Sequence, residues 1–427
     1  YMLQQLDRES TSYNLPGVIE IRGGLDLEKM EQILFRLIER HESLRTKFKM
    51  KDDRLVQIIE EEIPFRLEYY QNEEQIDQII SDFIRPFDLE NGPLFRAGVV
   101  SLKDRYLFML DMHHIISDGV SVQIFIDEFA KLYDGQELEE LPIQYKDFSH
   151  WQNQIFDSEK FQMEKKFWLD TFSDGVPILN LPTDYPRGRG TDFSGDTYKF
   201  NLSKDIYQKL ERLKEETGTT LYMILLAAYN IFLAKYSGEE DIVVGTPVAC
   251  REHPDLEQMI GMFVNTLALR NRVKMADSFK ELLAMVKDNS LQAFQNQNYQ
   301  FEMLVNDLGL ERDQSRNPLF DTMFSLQKDF NSKFEIEGLS LQPLELENKS
   351  SKFDLTLDGY QTEDGLYFTF EYSTHLFKKK TMERMAEHFL NILNGIATRP
   401  GQPLAELEII SPVEKWRVLE EFNSKTL

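Results

Sequence analysis

An apolar run of strand length, Tyr106-Leu107-Phe108-Met109-Leu110-Asp111-Met112, gives way to helical spacing through one heptapeptide, His113-His114-Ile115-Ile116-Ser117-Asp118-Gly119. Beyond it Val120, Ile124, Phe125, Phe129 and Leu132 recur at the helical period up to Asp134-Gly135. The local answer is therefore a buried strand, a tight connection and a helix, with two titratable rings at the joint. Neighbours on a strand face opposite ways. His114 then shares a face with Met112, Leu110 and Phe108, and His113 shares the other with Asp111. Burial among apolar groups disfavours the charged imidazole. His114 is the candidate base and His113 its support. A histidine on an apolar face is more often a satisfied core residue, so position alone does not decide. Adjacent histidines also raise the question of zinc. Their opposite directions, and the lack of further Cys or His nearby, argue against a metal.

Composition narrows the partners. Forty-eight Lys and Arg stand against 73 Asp and Glu, a formal charge of −25. That argues against nucleic acid and anionic membranes. A length of 427 residues exceeds one ordinary core, so two domains of roughly 150–250 residues are expected. The single cysteine, Cys250, allows no intramolecular disulfide, which fits a reducing, cytoplasmic setting. His253 lies close to it in sequence, but nothing orients that ring, and Cys250 reads as structural. The start, YMLQQLDRES, lacks a secretory pattern and opens on a tyrosine, as if cut from a longer chain. The apolar stretch from Leu221 to Ala234 is too short to span a bilayer and reads as a buried helix.

Helical and strand patterns alternate along both halves, without a sequence repeat. Asp26 can cap a helix bearing Leu27, Met30, Ile33, Leu34, Leu37 and Ile38. Leu44 to Phe48, Gln57 to Ile59 and Phe65 to Leu67 read as strand or strand fragments, and Gln75 to Ile84 as a helix. Pro93 to Leu102 reads as a strand pairing with the one that carries the histidines. Ile143 to Phe172 reads as helix linking two lobes. Further helices are expected from Thr219 or Thr220 to Gly238, over Phe279 to Gln295 and over Lys379 to Ile396. Strands are expected at Asp241 to Pro247, Met323 to Gln327, Phe353 to Asp358 and Leu366 to Tyr372.

Several segments now point one way. His113 to Gly119 matches the HHxxxDG signature that condensation domains of nonribosomal peptide synthetases share with chloramphenicol acetyltransferases. Arg40-His41-Glu42-Ser43-Leu44-Arg45-Thr46 resembles their RHExLRT segment, and Tyr145 to Trp151 their YxDYxxW motif. Ile260-Gly261-Met262-Phe263-Val264-Asn265-Thr266 is similar to IGxFVNT. Gln297 to Glu302 is similar to QDYPFE, with departures at Asn298 and Gln300. Arg312 to Phe320 resembles RDxSRNPLF. The order is that of the family from about residue 40 to 327.

The resemblance implies an α/β fold of two chloramphenicol-acetyltransferase-like lobes in a V-shaped pseudodimer around a central tunnel. The lobes are expected at 1–165 and 166–411, with 412–427 a linker toward an adenylation domain. It implies amide formation between a donor acyl or peptidyl thioester and an acceptor aminoacyl amine. Both ride on the 4′-phosphopantetheine arms of donor and acceptor peptidyl carrier domains; the domain itself is expected to bind no cofactor. Carried over by position, His114 is the active-site histidine and His113 a structural one. Asp118 is the ion-pair partner of Arg45, and a capping role for the same carboxylate is compatible with that. Gly119 allows close backbone approach, and Asn265, Ser325 and Gln327 are candidates to line the tunnel. Only the end of the family's first motif, Tyr1-Met2-Leu3, is present, which puts the first strand in question. Epimerisation, dual condensation–epimerisation and partner-recruitment domains share the fold. The FVNT and SRNPL segments speak against the first, and the second histidine against the last. Carrier domains are commonly acidic, as this chain is, so docking is expected to rely on local basic or apolar patches.

Overall fold

The computed structural model describes residues 1, 4–5, 7–71, 75–188, 190, 193–310, 313, 315–328, 334–336, 338–346, 349–363, 365–416 and 419. Met2 and Leu3, Arg312 and Gln314, and residues 420–423 of the expected linker lie outside these.

In chain order the first elements are β1 (Asn14–Arg22), α1 (Leu27–Arg40), β2 (Thr46–Lys51), β3 (Arg54–Ile59), β4 (Glu68–Tyr70), α2 (Ile76–Phe83), β5 (Phe95–Ser101), β6 (Tyr106–His113), α3 (Gly119–Tyr133) and α4 (Tyr145–Ile155). Then follow α5 (Glu159–Thr171), β7 (Gly195–Asn201), α6 (Lys204–Thr217), α7 (Leu221–Ser237), β8 (Asp241–Val248), β9 (Asn265–Arg272), α8 (Phe279–Gln295), α9 (Phe301–Asp307) and β10 (Thr322–Lys328). The last are β11 (Phe334–Ile336), β12 (Leu339–Leu344), β13 (Leu355–Gln361), β14 (Leu366–Ser373), α10 (Lys379–Thr398) and α11 (Pro412–Trp416).

The chain divides into two compact units. The first comprises Tyr1–Ser158 together with Ala249–Val264 and Phe330–Glu347; the second holds the rest. The division falls between Ser158 and Glu159 rather than after residue 165. The helix expected over 143–172 is two helices, α4 and α5, and the division lies between them. The later segment 330–347 belongs to the first unit because β12 pairs antiparallel with β1, Val18 opposite Leu344 through Arg22 opposite Ser340. Sequence pattern shows that a strand exists, not which sheet it joins.

The sheet of the first unit runs β11-β12-β1-β6-β5-β4, which puts the histidine strand β6 in its interior. β6 is antiparallel to β1, with His113 opposite Asn14, and to β5, with Met112 opposite Phe95. The alternation expected of a strand buried on both faces is met. Phe108, Leu110 and Met112 enter the larger core with the buried stripe of α1 and with Phe125 and Phe129 of α3. Leu107 and Met109 enter a smaller core with Phe83 of α2. Asp26 caps α1 as its sequence predicts, accepting from the Lys29 amide. In the second unit the sheet runs β7-β14-β13-β10-β8-β9. Its α7 is capped by Thr220, ends at left-handed Gly238, and is buried from Leu221 to Ala234 apart from Tyr222. No single helix among the described residues is long and apolar enough to cross a membrane.

Candidate active site

β6 ends at His113, and the chain turns at once. His114 leaves the ladder on a turn, its amide donating to the Tyr13 carbonyl at 2.7 Å. The turn closes on itself. Ile116 N–H donates to the His113 carbonyl at 3.0 Å, and Ser117 Oγ donates to the same oxygen at 3.2 Å. His114 Nδ1 lies 2.8 Å from the Ser117 carbonyl oxygen. A carbonyl only accepts, so Nδ1 carries the hydrogen. Nε2 is left with its lone pair and can take a proton.

The two rings differ from the sequence reading. His113, not His114, is the buried one, at 3% exposure, while His114 is half-buried. The strand stops at His113, so the alternation that assigned His114 to the apolar face no longer applies to it. His113 Nδ1 accepts from the Ile115 amide at 3.0 Å. Its ring meets Phe87 edge-on and lies near Tyr13. Burial above all, with His114 beside it, pushes the His113 pKa down to about 4. His113 is a neutral structural ring. On the same face burial raises the Asp111 carboxyl although Arg96 stands 3.5 Å away.

Asp118 caps α3, its Oδ1 accepting from the Ser121 amide and from Ser121 Oγ, both at 2.8 Å. The expected ion pair with Arg45 is not made. Arg45 Nη1 donates to the Glu60 carbonyl at 2.6 Å, and its nearest carboxylate is Glu42 at 3.9 Å. Arg45 ends the single turn before β2, where the Glu60 amide also meets its own carbonyl at 3.0 Å. Asp118 instead faces Arg251, Nη2 standing 3.1 Å from Oδ1 and 3.3 Å from Oδ2. Both side chains are buried. Burial lowers the Arg251 pKa while Asp118 opposes the shift. Arg251 also donates to the Leu256 and Met259 carbonyls at 2.7 and 2.6 Å and lies 4.1 Å over the Phe263 ring.

Arg251 belongs to the segment 249–264, which is stitched under the motif. Phe263 N–H donates to Asp118 Oδ2 at 3.1 Å, and Ser43 Oγ to the Ile260 carbonyl at 2.6 Å. Tyr145 Oη donates to the Met262 carbonyl at 2.8 Å. A Cβ on Gly261 would sit 2.1 Å from the Tyr145 ring, so only glycine fits there. At Gly119 the opposite holds. An added Cβ would meet no atom within 4 Å, so the crowding expected there is absent. Gly119 instead borders a groove of about 670 Å³ with Leu110, Met112, Val122 and Ile126.

Of the residues expected to line a tunnel, Asn265 is fully engaged with backbone. It donates to the Gln297 and Tyr299 carbonyls and accepts from the Thr266 and Phe301 amides, at 2.8 to 3.1 Å. It holds a turn and has no bonding capacity left for a ligand. Ser325 Oγ donates to Asp358 at 2.5 Å, and Gln327 Nε2 reaches Ser325 Oγ at 3.1 Å. Burial pushes the Asp358 carboxyl up to about 6. Among the described residues no group of three or more His, Cys, Asp and Glu is placed to hold a metal.

A family model described as Condensation domain matches residues 1–419. The chain is 48% identical over 425 residues to gramicidin S synthase 2 of Brevibacillus brevis, covering 99% of this chain and 10% of that protein. It is 48% identical to tyrocidine synthase 3 of Brevibacillus parabrevis, covering 99% of this chain and 7% of that protein. It thus spans about a tenth or less of the length of these relatives. A four-domain nonribosomal peptide synthetase bound to AMP and glycine superposes with a TM-score of 0.87 at 21% identity, over 97% of this chain and 33% of that one. The X-domain from teicoplanin biosynthesis does so at 0.86 and 23%, over 96% and 95%. These two likenesses carry the fold alone.

Proposed function

The chain belongs to the condensation-domain family, and from that membership we propose that it joins two carrier-bound thioesters by an amide bond. The acceptor's α-amino nitrogen attacks the donor's thioester carbonyl. A C–N bond forms, the C–S bond breaks, and the acyl group moves onto the acceptor. The nitrogen sheds one proton, and the departing thiolate takes one. The observation that supports this reading is the hydrogen bond from His114 Nδ1 to the Ser117 carbonyl at 2.8 Å. It holds Nε2 as the acceptor for the nitrogen's proton, or as the group that directs the amine. Holding two tethered reactants together supplies much of the remaining acceleration. No enzyme nucleophile is required. Asp118, Arg251 and Ser121 position the turn and touch no substrate. Ser325 and Gln327 remain candidates for substrate contact.

The phosphopantetheine arms belong to the donor and acceptor carrier domains, an adenylation domain follows in the same polypeptide, and the setting is cytoplasmic. The test uses aminoacyl thioesters of a small thiol. The parent chain should form the dipeptide thioester, and His114→Ala should lose at least about a hundredfold in rate while melting like the parent. Equal rates in the two would remove His114 from the chemistry. A recruitment domain of the same fold would form no amide in either.

A further inference from the structure

Against a formal charge of −25, the hairpin β2–β3 carries a positive excess, with Lys47, Lys49, Lys51 and Arg54 set against Asp52 and Asp53. The hairpin β2–β3 is a two-stranded sheet of its own. Its register sets Lys51 opposite Arg54, Lys49 opposite Val56 and Lys47 opposite Ile58. Lys47, Lys49, Lys51 and Arg54 therefore share one face of the ribbon. Lys47 is ion-paired with Glu60. Lys49, Lys51 and Arg54 have no ion pair or side-chain hydrogen bond among the described residues. On the other face the facing pair Met50 and Leu55 stands 49% and 44% exposed.

The hairpin is held at its base and free at its tip. Phe48 N–H donates to the Leu89 carbonyl at 2.7 Å, and Gln57 Nε2 to Ser149 Oγ at 3.1 Å. The turn is Asp52-Asp53, with φ of 51° and 59°. Two successive left-handed residues make the tight hairpin turn that matches strand twist. Neither is glycine, but aspartate is among the few residues that tolerate this left-handed conformation in a turn.

We propose that this hairpin is a docking surface for an acidic carrier domain, its basic face providing the charge and the Met50–Leu55 pair the apolar contact. This rests on the function proposed above. An acidic partner is repelled by most of so acidic a chain, so its approach depends on a local positive potential. Three cations without internal partners lose no existing pair when a carboxylate-bearing surface arrives. The exposed apolar pair adds short-range burial once the partner is seated.

The test compares the parent with Lys49→Glu/Lys51→Glu/Arg54→Glu, and with the neutral Lys49→Ala/Lys51→Ala/Arg54→Ala. Amide formation is measured twice, with carrier-bound substrates and with the small-thiol thioesters. The charge-reversed chain should show a KM for the carrier raised on the order of tenfold or more, with small-thioester turnover changed less than about twofold. The neutral variant should fall between. Salt should weaken the parent's use of carriers, leave the neutral variant nearly indifferent and relieve part of the reversed variant's loss. Varying one carrier at a saturating level of the other shows which of the two docks there. An unchanged carrier KM with the salt dependence intact would overturn the proposal. So would an equal loss on both substrate types, which places the hairpin in fold or chemistry. A parent inert toward small thioesters would strike the functional reading instead. Fluorescence anisotropy of labelled carrier against parent and variant would then still decide docking.

Discussion

At His114 the backbone chooses the working atom. The Ser117 carbonyl accepts the Nδ1 hydrogen, which leaves Nε2 with a lone pair. Nitrogen-15 spectra of the labelled rings should therefore show the neutral His114 ring with Nδ1 protonated and Nε2 bare. An Nε2-protonated ring would deny it the role of base. The pairing of Asp118 is equally open to test. Arg251→Ala leaves a buried carboxylate without its cation and should cost about 3–5 kcal/mol of stability. Arg45→Ala leaves that pair intact and removes one hydrogen bond to a carbonyl, worth about 1–3 kcal/mol. Equal melting of the two variants, or the reverse order, would contradict the assignment. The histidines and Asp118 were legible because they sit together in one heptapeptide. Arg251 was not, since it lies far along the chain and nothing in its neighbours marks it as a partner. The tautomer was not legible either, because it depends on a carbonyl that any residue would supply.

Among the elements, the segment 249–264 does most to hold the motif, and its fit turns on Gly261 lying against Tyr145. Gly261→Ala should cost about 1–3 kcal/mol by overpacking. Combined with Tyr145→Ala the cost should shrink, a coupling read from a double-mutant cycle. Additive losses would mean that the close approach is not the constraint. The apolar periods of α1, α3, α7 and β6 placed those elements before any coordinates. β1 is not among the strands that the sequence pattern marks, and Pro16 and Gly17 fall inside it. Yet Pro16 pairs only with Asp111 of β6, and β12 joins β1 from Val18 onward. The missing N–H thus falls where β1 has a single neighbour. In β12 Leu339 and Leu341 alternate with Ser340 and Gln342, but which sheet the strand completes is set by tertiary pairing alone.

For the molecule as a whole, the buried His113 ties stability to pH. Its folded pKa of about 4 lies below the ordinary 6.5. Between those values the unfolded chain binds a proton that the folded one refuses. The stabilisation is full above pH 6.5 and is lost as the pH falls toward 4. The loss amounts to about 3 kcal/mol. Denaturant unfolding at pH 7 and pH 4 should show the parent losing about that much more than His113→Asn. Parallel losses would mean that His113 titrates normally. The function itself is a statement about where an acyl group goes. The most direct measurement mixes the chain with a donor carrier bearing an aminoacyl arm and an acceptor carrier bearing another, and follows intact masses. The acceptor should gain the donor's acyl mass while the donor falls to its free thiol. Two loaded carriers that stay unchanged beside a folded chain, across L- and D-donors, would contradict the account.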